Sequence, residues 1–125
     1  MILSHRGNYW NTFISKQALQ DIETYNIPDY VAEEFVNQFH DLGNWPEPCD
    51  CRAVQAIQRR DLPDGVLRFK PNNPPCLLQL RGIVLLFEIK GKKNSIVLAG
   101  IFVRNERTYE QTLTARMQEI GALKR

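Results

Sequence analysis

Only two histidines and three cysteines occur among the 125 residues. His5 and His40 are the sole imidazole bases, and neither sits in a recognisable nucleophile motif, which argues against a serine or cysteine hydrolase. Cys49 and Cys51 are too close in sequence to bridge comfortably, and Cys76 makes the number odd, so reduced thiols are expected. With His40 the cysteines make four candidate zinc ligands, but Cys-x-Cys lacks the two-residue gap of a zinc knuckle. The expectation is no metal and no cofactor. A glycine-rich phosphate loop is missing, and the acidic residues show no pairing of the kind a glycosidase or metal nuclease uses. No apolar run approaches the roughly 20 residues of a membrane span, since the longest candidate, 83–101, is broken by Glu88, Lys90, Lys92 and Lys93. Met1-Ile2-Leu3-Ser4-His5-Arg6 has no secretory pattern, which points to the cytoplasm.

With 43% hydrophobic and 24% charged residues, the chain has enough apolar material for a single domain over 1–125. The net charge of +2 hides a division. Residues 1–64 carry five Lys/Arg against ten Asp/Glu, a net of −5, whereas residues 65–125 carry eleven against four, a net of +7. That asymmetry suits a basic face that meets phosphate or an acidic partner, with an ordinary solvated surface as the alternative.

The first half reads as helical. After a short strand within 2–9, Ser15 caps a helix carrying Ala18, Leu19, Ile22 and Tyr25 at helical spacing, which Asn26-Ile27-Pro28 ends. Asp29 opens a second amphipathic helix with Val31, Ala32, Phe35, Val36 and Phe39, stopped near Gly43. Residues 43–48 form a loop, and Ala53, Val54, Ala56 and Ile57 suggest a short third helix. From Gly65 the period changes to strands at 66–70, 77–81, 83–90 and 96–104, with Gly91-Lys92-Lys93-Asn94 as a hairpin connection. Tyr109, Leu113, Met117 and Ile120 mark a closing helix stopped at Gly121. The predicted fold is α+β: an N-terminal helical hairpin packed on a small antiparallel sheet, with a C-terminal helix and the helices on one face.

Arg68 and Lys70 share one face of their strand, and Arg81, Arg104 and Arg107 follow in the basic half, so a phosphate-binding groove is one reading. Edge charges that prevent strand pairing are the other, and Lys92-Lys93 fit that role best.

The run Leu77-Leu78-Gln79-Leu80-Arg81, then Ile83-Val84-Leu85-Leu86-Phe87-Glu88-Ile89, then the segment from Ile96 to Thr108 resembles the RelE/HigB superfamily of bacterial toxins. The likeness covers about half the chain and extends to Ala115-Arg116 in the closing helix. It implies a metal-independent mRNA endoribonuclease, ribosome-associated or free, that inhibits translation and is neutralised by a cognate antitoxin. Arg81 and Arg104 match the family's catalytic basic residues, and Arg68, Lys70 and Arg107 are candidates for RNA binding. Tyr109 is either a stacking face or proton donor, or a core residue. The sequence departs from the family in having no basic residue at the start of the strand 83–87 and in placing Asn105 where a second lysine stands. The alternative function is a non-catalytic module that binds nucleic acid or an acidic protein through the same basic face.

Overall fold

The computed structural model describes residues 1–48, 51–56, 66–71, 79–87, 94–104 and 109–123. The elements run β1 (Ser4–Arg6), β2 (Trp10–Ile14), α1 (Lys16–Thr24), α2 (Asp29–Asp41), β3 (Val54–Ala56), β4 (Val66–Phe69), β5 (Leu80–Phe87), β6 (Asn94–Val103) and α3 (Tyr109–Leu123). The fold is α+β, as the change of period at residue 65 predicts, with six strands in the order β1-β2-β6-β5-β4-β3.

Local chemistry sets the helix ends. The Ser15 hydroxyl accepts from the Ala18 N–H at 3.1 Å, satisfying a donor that the first turn leaves free. At the other end Asn26 adopts φ 51°, and the N–H groups of Asn26 and Ile27 reach back to the carbonyls of Glu23 and Ile22. That is a Schellman closure, for which asparagine is one of the few residues suited to the left-handed position. The α1–α2 pair expected from sequence is therefore present.

Three expectations are corrected. The chain starts with the hairpin β1–β2 rather than a single short strand, and β2 pairs parallel with β6, Trp10 opposite Asn94 and Ile14 opposite Leu98, so the sheet is mixed. Only β6 to β3 form the antiparallel meander. Where the third helix is expected, the described residues form a strand instead: Val54–Ala56 runs antiparallel to β4, with Val54 opposite Phe69, and Ile57 lies outside the described residues. A short apolar run carries no period long enough to separate the two structures, and the open edge of β4 decides it. The helices also occupy both faces. Leu67, Phe69, Val84, Ile96, Leu98 and Ile101 meet Phe35 and Phe39 of α2, with the Phe35 and Phe69 rings edge-to-face at 5.2 Å. Val66, Ile83, Leu85, Ala99 and Phe102 form a second cluster with Leu113 and Met117 of α3 on the opposite side. The meander strands are apolar on both sides because both sides are covered.

Smaller differences follow from packing. Leu42–Asn44 continues α2 as a 3-10 turn, with Gly43 buried against the hairpin: a Cβ there would lie 2.6 Å from the Trp10 carbonyl oxygen. β5 runs unbroken through Gly82, whose bare Cα gives room to Phe35. α3 passes Gly121 and ends at Leu123. Residues 91–93 of the expected connection, Cys49 and Cys76 lie outside the described residues, and Asn94 is the first residue of β6. Among the described residues no helix is long and apolar enough to cross a membrane.

Candidate functional site

Strand register brings the basic candidates together. Arg68 lies opposite Ile83, Arg81 lies opposite Phe102, and Ile83 and Phe102 belong to the α3-side cluster. Both arginines therefore stand on the α3 side, on neighbouring strands. They mark the end of the sheet where β4 finishes, β5 begins and β6 finishes. Arg104 follows β6 at this end, its backbone N–H donating to the Gln79 carbonyl, and Lys70 follows β4, its N–H donating to the Ala53 carbonyl at 2.7 Å. Three strands thus deliver four cationic residues to one corner. Arg107 lies outside the described residues.

The four are not equivalent. Lys70 and Arg104 are exposed, and Arg68 is half-buried. Arg68 Nε is buried and donates to no partner among the described residues. A guanidinium N–H without an acceptor in a dry place is costly, and an incoming anionic oxygen would relieve it. Arg81 is 5% exposed, and its Nη1 donates to the Leu80 carbonyl at 2.8 Å. The sequence carries no signal for the burial of Arg81.

Arg116, part of the sequence likeness, is committed elsewhere. Its Nη2 and Nη1 donate to Oδ1 and Oδ2 of Asp21 at 3.0 and 3.1 Å, Nη1 also donates to the Ala99 carbonyl at 2.8 Å, and the guanidinium lies 5.4 Å from the Phe102 ring centre. Asp21 Oδ2 in turn accepts the Ile101 N–H at 3.0 Å. Asp21 is buried, which its place in the charge count of the first half does not reveal. Its position inside the helical stripe Ala18, Ile22, Tyr25 was the available clue.

The histidines lie on the α2 side. His40 is buried; its Nε2–H donates to the Ile2 carbonyl at 2.8 Å, because a carbonyl can only accept. Nδ1 of the neutral ring is then free to accept the hydroxyl proton of Thr12, which is fully buried. Burial holds the His40 pKa below the ordinary 6.5, with the nearby His5 adding to the depression and the Ile2 bond opposing it. The ring centres of His5 and His40 are 5.7 Å apart. Neither histidine belongs to the basic corner.

A cleft of about 490 Å³ lies between α2 and the residues around β3. It is lined by Glu34, Asn37, Gln38 and Asp41 above Leu42 and Phe69. Its carboxylates have the wrong sign for phosphate. Among the described residues no three His, Cys, Asp or Glu side chains gather as metal ligands. Comparisons of the chain with protein-family models, with curated proteins and with solved structures give no match.

Proposed function

We propose that the chain is an RNA-directed toxin of the RelE/HigB kind that engages the phosphate backbone at the basic corner. The observation that carries the reading is the convergence of Arg68, Lys70, Arg81 and Arg104, from three strands, on one end of the sheet. Lys and Arg contacts to phosphates supply most of the sequence-independent affinity for RNA. Lys70 and Arg104 reach solvent and meet phosphates directly, while Arg68 offers an unmet N–H. In cleavage, a ribose 2′-hydroxyl attacks the adjacent phosphorus and the bond to the 5′-oxygen of the next nucleotide breaks. Arg104, with the fixed charge of Arg81 behind it, favours the extra negative charge that gathers on the phosphate. The target is mRNA, free or on the ribosome, in the cytoplasm. A cognate antitoxin with an acidic segment that orders on binding would cover the corner.

The burial of Arg81 favours a second reading, a non-catalytic module that binds RNA or an acidic protein through the same corner. A guanidinium already engaged with the Leu80 carbonyl is less free to follow a reacting phosphate. Both readings are tested by adding the purified chain to a cell-free bacterial translation system and following protein output and transcript integrity. Arg104→Ala and Lys70→Ala are run beside it, with Arg81→Ala included after its fold is checked by circular dichroism. Transcript cutting that falls at least tenfold in Arg104→Ala supports the toxin. Intact transcripts with salt-sensitive RNA binding support the module as an RNA binder, and no effect on RNA of either kind overturns the toxin and leaves the module only an acidic protein as its partner.

A further inference from the structure

The hairpin β1–β2 has a composition unlike the rest of the acidic half. Residues 1–20 contain no Asp or Glu, and Arg6 and Lys16 are their cationic side chains. On β2, Trp10 and Thr12 turn inward to the α2 side, so Asn11 and Phe13 face the other way. Register sets Ser4 opposite Phe13 and Arg6 opposite Asn11, which places these four on one face of the ribbon. They line a shallow open groove with His5, about 340 Å³ in volume, with no carboxylate in its wall among the described residues. Phe13 is 39% exposed there, an apolar ring kept in water. Asn11 Oδ1 is buried beside it with no hydrogen bond from the described residues.

We propose that this groove is a second RNA contact, in which a base of a single-stranded RNA stacks on Phe13 while Arg6 meets the flanking phosphate. The proposal rests on the RNA reading above and adds to it a site on a different element. An exposed ring next to a cation, without a competing carboxylate, is what a single-stranded nucleic acid needs: every base has a π face, and every linkage has a negative charge. Asn11 supplies a carboxamide at the base edge, where a ligand N–H would remove the cost of its unmet acceptor. The partner of Phe13 across β6 is Val97, which packs against the α3-side cluster, so the groove and the basic corner lie on the same side of the sheet. From β1 to β4 is four strand spacings, about 19 Å, and from Val97 to Arg104 along β6 is about 23 Å, a span that a 12-nucleotide single strand can cover.

The test is fluorescence anisotropy with a labelled single-stranded 12-nucleotide oligouridine across a salt series, and free uridine monophosphate as competitor. Phe13→Ala is expected to weaken binding about tenfold with an unchanged salt slope, and Phe13→Trp to restore it. Arg6→Ala is expected to reduce the salt slope by about 0.7. Because Phe13 is partly exposed, a thermal melt checks that Phe13→Ala remains folded. Binding that falls in Arg104→Ala and Lys70→Ala but not in Phe13→Ala overturns the groove and leaves the corner standing. Binding that falls in Phe13→Ala but not in the corner variants upholds the groove and overturns the corner. Uridine monophosphate that competes as tightly as the oligomer overturns RNA as the ligand, and a wild-type chain that binds no oligomer overturns both sites.

Discussion

Asp21 of α1 and Arg116 of α3 together take the place of a strand residue beside Gly100 of β6. In a parallel pair, one residue accepts from the N–H after its partner and donates to the C=O before it. Here the Asp21 carboxylate accepts from Ile101, and the Arg116 guanidinium donates to Ala99. β2 pairs as far as Leu98, and the side-chain pair takes over where its backbone turns away into α1. The register shift of β6 against β5, which leaves Ala99 without a counterpart, falls at the same place. Gly100 has to be small because a Cβ would lie 2.8 Å from Arg116 Nη1.

Asp21→Ala is therefore expected to cost about 2–4 kcal/mol, because it leaves the Ile101 N–H without its acceptor and a largely covered guanidinium without its buried carboxylate. Arg116→Ala is expected to cost a similar amount. The double variant should cost clearly less than the two single losses combined, since the interaction they share is removed once. Urea unfolding of the four proteins measures this, and additive losses would show that the two side chains act independently.

Stability should fall on acidification below neutrality because of His40. Its folded-state pKa lies below the unfolded value near 6.5, so between those two values the unfolded chain takes up a proton that the folded chain refuses. The contribution is fully present above about pH 6.5 and is lost as pH falls towards the folded value. His40→Gln removes this component, so its melting temperature should change less than that of the wild type between pH 7 and pH 5. A wild-type curve no steeper than that of the variant would refute the assignment.

Gly43→Ala is expected to destabilise by about 1–3 kcal/mol, because the added carbon meets the backbone oxygen of Trp10 rather than a side chain able to swing aside. Gly82→Ala should be milder, since its nearest neighbour is a terminal methyl of Leu98. Thermal melts of the two variants rank them, and the reverse order would contradict the geometry.

At the basic corner, Lys70→Ala and Arg104→Ala should each lower the slope of log affinity against log salt by about 0.7 for single-stranded RNA. Both side chains are exposed, so melting temperatures should stay close to wild type. A variant that loses affinity without a change of slope would have lost something other than a phosphate contact.

How much of this was legible in the sequence depended on the range of the interaction. Ser15 as cap and Asn26-Ile27-Pro28 as stop act within a few residues, and both do in the structure what their side chains and backbone favour. Alternation likewise places Arg68 and Lys70 on a common face of their own strand, because the period of a strand is a local property. Pairing was not legible. Nothing near Trp10 announces Asn94 as its neighbour, and nothing near Val54 announces Phe69. The burial of Arg81 and the Asp21–Arg116 pair were hidden for the same reason: they depend on which elements meet, not on the pattern within one.

The parallel pairing of β2 with β6 also sets an order of events in biosynthesis. Residues 10–14 are made about 80 residues before residues 94–98, the strand that flanks them in the sheet. Until then β2 has β1 on one side and an open edge on the other, and Trp10 and Thr12 lack much of their final cover. Closing so long a loop adds little to the equilibrium cost, since each doubling of length adds only about 0.6 kcal/mol, but non-local pairing of this kind slows the search. This part of the sheet is completed only once residues 94–98 have been made, and in that interval the unpaired edge of β2 is open to a chaperone or to aggregation.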